Sequence, residues 1–298
     1  MRGEATKSSD VDLLVILRKA KQPTKFTSQL FRKIRIQTFF VTVSYLQKVF
    51  WGRELSNWSD HRLATRLGEM FLLFSRDPAW MMKFKLNVQS SKPTARFLGS
   101  LLEQARDYHL NGTKFMTRRK SVLAMIAFRA SLECVKAWVF ARQTKEMGGS
   151  KWELFRLNLL DHRIHQAYVS VFASGNKRLA SYLDSSRSLL LELKRNPKLY
   201  KELEPIEHEV LLDALEDATE MRNAGRRQEA LAILAQIPFV FYLPDFVPPK
   251  NLERDGKIGR LIERASGLQA VTADKVQAVS NRTKRILQTL SPEGTSRG

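Results

Sequence analysis

Residues 111–145, NGTKFMTRRKSVLAMIAFRASLECVKAWVFARQTK, carry the two properties that decide how this chain is read. Met125, Phe128, Leu132, Val135 and Val139 recur at three- and four-residue spacing, and Ala124, Ala127, Ser131, Cys134 and Trp138 widen the same face. The period is helical, and a face this broad marks a core helix. Upstream, Asn111-Gly112 reads as a turn, because both residues tolerate positive φ. Thr113 then stands as a helix cap, its hydroxyl placed to accept from a free first-turn amide. Arg118, Arg119 and Lys120 crowd the N-terminal end of the core helix, where the macrodipole is already positive. Two readings of that cluster follow: it faces an anion that offsets the repulsion, or it is a solvated charge run screened within about 10 Å by salt.

Working outward, 298 residues suffice for one large domain or two ordinary ones. Hydrophobic content of 43% and charged content of 27% are globular values and exclude wholesale disorder. Apolar runs such as 11–17 are far shorter than the ~20 residues a spanning helix needs. The opening MRGEATKSSDVDLL has acids and no adequate apolar region, so it is a poor secretory signal, and residues 1–10 read as a short flexible leader. Cys134 is the single cysteine, which rules out an internal disulfide and a multi-cysteine zinc site and fits a reducing intracellular compartment, cytoplasm or nucleus.

Net charge is +20 and it is segregated. Residues 1–200 hold 36 Lys/Arg against 15 Asp/Glu; residues 201–250 hold 5 against 10; residues 251–298 hold 9 against 5. A basic excess of this size points to a polyanionic partner, held by long-range attraction and counterion release. Nucleic acid is the first candidate and an anionic membrane surface the second.

Along the chain, the pattern predicts a first helix from Asp10 or Asp12 to about Ala20, ended by Pro23. A second spans Phe26 to Trp51 and carries Arg32, Lys33 and Arg35. Its β-branched and aromatic density leaves a strand open over 34–45, while the repeat of Leu30, Ile34, Thr38, Val41, Tyr45 and Val49 favours helix. A third helix opens at Ser59-Asp60. In residues 78–97, Trp80, Phe84 and Phe97 interleave with Lys83, Lys85, Lys92 and Arg96. Rings to stack bases beside cations to hold phosphates are what single-strand binding uses, although rings at this density are also what a core uses. A helix from Thr94 to His109 leads into the central one. Gly148-Gly149-Ser150 reads as a flexible joint, followed by helices over 151–172 and 177–195. An acidic helix over 202–223 and its partner after Gly225 form an αα-hairpin. Residues 238–250, PFVFYLPDFVPPK, set four prolines among Phe239, Phe241, Tyr242 and Phe246 and predict an extended apolar strip, covered by its own domain or docked as an arm on a second protomer.

Catalytic motifs are not visible: there is no Gly-rich phosphate loop, nucleophile elbow or HExxH helix. His162 and His165 share a helical face beside Asp161 but make only half a metal site, and no metal or cofactor is expected. The RRM, KH, zinc-finger and basic-zipper signatures are also absent, so sequence-specific reading has no positive support.

The expectation is an all-α protein of two packed multi-helix subdomains: basic 1–147 and 151–237 with its acidic helix, then the Pro/aromatic segment 238–250 and a helical tail 251–298. Its expected function is binding of RNA, or single-stranded nucleic acid generally, without sequence preference, as a nucleoprotein-like coat or packaging protein that self-associates. Arg118, Arg119, Lys120, Lys83, Lys85, Lys92 and Arg96, then Arg32, Lys33 and Arg35, hold phosphates; Trp80 and Phe84 stack bases; Phe239, Phe241, Tyr242 and Phe246 form the oligomer arm. The alternatives are a structural subunit of a larger ribonucleoprotein particle, a matrix-type protein on an anionic membrane and, further off, a nucleic-acid-processing enzyme.

Overall fold

The computed structural model describes residues 11–21, 24–32, 34–50, 54–56, 60–61, 63–64, 67, 73–143, 153–173, 178–196, 205–243 and 256–290. The chain forms two compact units, Met1–Phe97 and Leu98–Gly298. Helices dominate the described residues, and the fold is all-α in class with a few short strands. The glycine joint at 148–150 and the leader 1–10 lie outside the described residues.

Those strands are where the local expectation fails. Residues expected as a first helix form strand β1, Val11–Leu17, and the expected second helix divides into β2, Thr24–Phe31, β3, Ile34–Thr42, and helix α1, Val43–Phe50. β3 lies between the other two, parallel to β1 and antiparallel to β2, with Leu14 opposite Phe39 and Phe31 opposite Ile34. The reason is visible in the residues: the apolar run 13–17 with Val and Ile is strand length, and Ile34-Arg35-Ile36-Gln37 alternates with period two. β-Branched side chains fit the pleat better than a helical turn. Thr42 Oγ1 then accepts from the amide of Tyr45 at 3.2 Å and starts α1. The rest of the unit is β4, Glu54–Leu55, α2, Pro78–Gln89, and β5, Lys92–Pro93, which pairs with β4. Its core gathers Val41, Leu46, Phe50, Leu55, Leu67, Phe84 and Val88. Phe74 is exposed.

Helix α3 spans Ala95–Thr117, all but its first three residues in the second unit, and α4 spans Ser121–Arg142. The expected break at Asn111-Gly112 does not occur, and Thr113 is mid-helix, its hydroxyl donating to the His109 carbonyl. Gly112 serves close approach instead: a Cβ there would sit 2.6 Å from the Phe128 ring. The central helix α4 is buried on nearly every side, as a helix apolar all round must be.

Beyond it lie α5, Glu153–Leu160, and α6, His162–Phe172, divided where Asp161 accepts from the Ile164 amide at 3.0 Å rather than running on as one helix. Next come α7, Leu179–Arg195, α8, Pro205–Asn223, and α9, Arg227–Leu234, the last two forming the expected hairpin. The chain then forms α10, Ile237–Tyr242, α11, Gly256–Ala265, a 3₁₀ turn at Leu268–Ala270, and α12, Ala273–Thr289. The extended strip expected from residue 238 is therefore helical as far as Tyr242. Pro238 falls in the first turn of α10, where its missing N–H costs nothing. Phe241 is buried among Leu183, Leu234 and Ile262, with Tyr242 packed against the same core. Residues 244–250, Phe246 included, lie outside the described residues.

Candidate nucleic-acid interface

α3 ends in a Schellman turn. The Lys120 amide donates to the Phe115 carbonyl at 2.9 Å and the Arg119 amide to Met116 at 3.0 Å. Closing that pair of bonds requires a left-handed residue, and Arg119 supplies it with φ +58°. α8 ends in the same way: Arg226 donates to Met221 at 2.8 Å and Gly225 to Arg222 at 3.0 Å, with Gly225 at φ +76°. A left-handed conformation costs a non-glycine residue about 1 kcal/mol or more, and glycine almost nothing. Arg118, Arg119 and Lys120 are all exposed and make no ion pair among the described residues. Arg32, exposed at the β2–β3 connection, is the other described non-glycine residue with positive φ, at 48°.

In the first unit, Lys83, Lys92 and Arg96 are exposed and Lys85 is half-buried. Arg35 lies in β3 opposite Leu30, and Lys33 lies outside the described residues. Phe84 does not face solvent as a base-stacking surface must. It is only 3% exposed, lies parallel to Trp80 at 5.1 Å and meets the Phe50 ring edge-on at 5.9 Å. Helical spacing turns Phe84 and Val88 inward together, so the ring belongs to the core; Trp80 remains half-buried with one face against Phe84.

Two other cations of the decisive stretch are buried. Arg129 is 4% exposed, and its guanidinium donates to the carbonyls of Ser266 at 3.1 Å, Ala235 at 3.4 Å and Val171 at 3.5 Å. Those oxygens belong to the C-terminal ends of α11, α9 and α6, where unpaired carbonyls and the negative pole of each helix meet. Burial lowers the Arg129 pKa to about 10, which leaves it charged at neutral pH. Lys136 is 1% exposed and pairs with Glu153 at 2.5 Å and Glu133 at 2.7 Å. Burial alone would lower its pKa, but the two carboxylates outweigh that and hold the ammonium charged. The Tyr168 hydroxyl donates to Glu133 and accepts from Gln236 at 3.1 Å, which completes a polar network inside the helical core. Arg129 and Lys136 are seven residues apart in register with Met125, Leu132 and Val139. That position on the apolar stripe was the signal that they turn inward.

Cys134 is buried, and burial with the Glu133 charge raises its thiol to about 12, so it stays protonated at neutral pH. His162 is held by Asn158 at 2.6 Å and Gln166 at 2.8 Å, and no cluster of metal-ligating side chains occurs among the described residues. No described helix is long and apolar enough to cross a membrane. Comparison of the chain with protein-family models, curated proteins and solved structures finds no match.

Proposed function

We propose that this protein holds nucleic acid, single-stranded RNA in the first place, through the phosphate backbone and without reading sequence. The observation that supports it best is Arg119 in a left-handed position that α8 fills with glycine. Strain kept in a solvent-exposed turn, beside two further cations and no counter-ion among the described residues, is the pattern of a surface selected for charge rather than for stability. Arg32 repeats the choice in the first unit. The net charge of +20 supplies the long-range attraction. RNA is preferred because single strands suit a backbone-holding surface with no groove-reading helix. Lys83, Lys92 and Arg96 extend the phosphate contacts, and Lys85 adds its half-buried stem. In a coat or packaging role, self-association would multiply these weak contacts; of the arm residues, Phe241 is buried while Phe239 and Tyr242 are half-buried.

The test is RNA affinity at physiological salt for Arg118→Glu/Arg119→Glu/Lys120→Glu combined with Lys83→Glu and Lys92→Glu. The expected result is a loss of a hundredfold or more in a folded protein. Unchanged affinity would reject the proposal.

A second reading, peripheral contact with an anionic membrane, is favoured by one feature of α2. Met82 and Leu86, 63% and 59% exposed, flank Lys83 on its outward face. Flotation of the wild type and of Met82→Ser/Leu86→Ser with acidic-lipid vesicles tests this reading, which expects the variant to lose co-flotation.

A further inference from the structure

A cleft lies between α3 and α12, lined by none of the cations named so far. It has a volume of about 350 Å³, open to solvent, and is lined by Arg106, His109, Lys284, Leu287, Gln288 and Leu290. The lining holds two cations and no acid, and neither cation is in an ion pair among the described residues. Arg106 is steadied by a single long hydrogen bond from one terminal nitrogen to the Leu290 carbonyl at 3.5 Å, which leaves its other donors available. His109 Nδ1 is buried without a hydrogen-bond partner among the described residues, an expense that folded proteins seldom tolerate unless something else pairs with the group. Leu287 and Leu290 are buried and form an apolar floor, and the His109 ring rests against Phe128 at 5.2 Å. Gln288 adds an exposed amide able to donate and accept.

Convergent donors over an apolar floor, in a volume at the low end of the ~300–1,000 Å³ of small-molecule sites, describe a ligand with one anionic end and one flat or apolar end. A phosphate suits the anionic end, because the arginine fork and the lysine ammonium together offer several N–H groups to its oxygens. The volume admits one such unit and not a run of them.

We infer that this cleft binds a phosphate group carried on an apolar or aromatic body of nucleotide size, with Arg106 and Lys284 on the phosphate and His109, Leu287 and Leu290 against the body. The phosphate could come from a free mononucleotide or from one nucleotide of a bound strand. None of these residues belongs to the basic turn at 118–120, so the inference stands or falls separately from the proposed function.

The experiment is a residue-resolved NMR titration of the full chain with adenosine monophosphate, adenosine, inorganic phosphate and a single-stranded oligonucleotide. It is repeated on Arg106→Gln/Lys284→Gln, two exposed positions whose replacement leaves the core intact. The expected result is that adenosine monophosphate shifts the signals of residues 106, 109, 284, 287 and 288, that it binds at least tenfold more tightly than phosphate or adenosine, and that the double variant loses that gain. Adenosine monophosphate that leaves these signals unmoved, or that binds the double variant equally well, overturns the inference. Phosphate alone binding as tightly as the nucleotide also overturns it, since the apolar floor would then contribute nothing. An oligonucleotide that binds while the mononucleotide is silent overturns the cleft and leaves the proposed function standing. A mononucleotide bound in the cleft with no strand bound anywhere does the reverse, and supports a free small-molecule site.

Discussion

Two helix ends in the second unit are built on the same hydrogen bonds and differ in one residue. After α8, Gly225 takes the left-handed position, and Arg226 turns back to pair with Glu229 at 2.8 Å. After α3, Arg119 takes it, and the three cations of the turn have no acid to meet among the described residues. The first turn is arranged to end a helix at the least cost. The second ends a helix while pointing charge outward, and tolerates strain to do so. The body of α4 makes a third case, because Arg129 and Lys136 are buried, the first bonded to helix-end carbonyls and the second to two carboxylates. Charge alone therefore says little about role in this chain; what each cation is bonded to says most.

The comparison breaks most visibly at Lys136. Lys136→Met leaves Glu133 and Glu153 facing each other inside the core, and should cost about 3–5 kcal/mol in denaturant unfolding. RNA affinity of the protein that remains folded should not change, because this ammonium never reaches solvent. A reciprocal swap sharpens the contrast between the two turns. Gly225→Arg should destabilise by about 1 kcal/mol, and Arg119→Gly should stabilise by a similar amount while weakening RNA binding. Equal signs for the two substitutions in thermal unfolding would mean that Arg119 bears no strain.

The smallest effect is in pH. Burial, followed by the Lys284 charge, lowers the pKa of His109, and burial, followed by His162, lowers that of His165. Both lie below the ordinary value of 6.5, so the unfolded chain binds these protons first. Their contribution is complete above about pH 6.5 and is lost as pH falls through the lowered folded values. Urea midpoints should hold steady from neutral pH down to that point and then decline. His109→Gln/His165→Gln should flatten the decline.

The helical architecture of the second unit was legible because its apolar spacings run long: α4 alone shows five positions in register. The sheet of the first unit was not, since Leu30, Ile34, Thr38 and Val41 also fall on a helical repeat, and pairing with β1, distant in sequence, decides the matter. Gly112 misled because a glycine required by close packing against Phe128 looks the same as a glycine that makes a turn. Pro238 misled because a proline in a first helical turn looks the same as one that forbids a helix. The cations at 118–120 were legible as a cluster, but their backbone strain was not: nothing in Arg-Arg-Lys announces a positive φ. The cleft was hidden for a simpler reason, since Arg106 and Lys284 lie far apart along the chain and only the packing of α3 against α12 joins them.

The most direct measurement is the salt dependence of RNA binding for the wild type and for Arg118→Ala/Arg119→Ala/Lys120→Ala. If the turn holds phosphates, log affinity falls steeply with log salt in the wild type, and the triple variant loses about 2 from that slope, at roughly 0.7 per single-strand phosphate contact. Parallel slopes with equal affinities would contradict the account, and would assign the strain at Arg119 to some purpose other than binding nucleic acid.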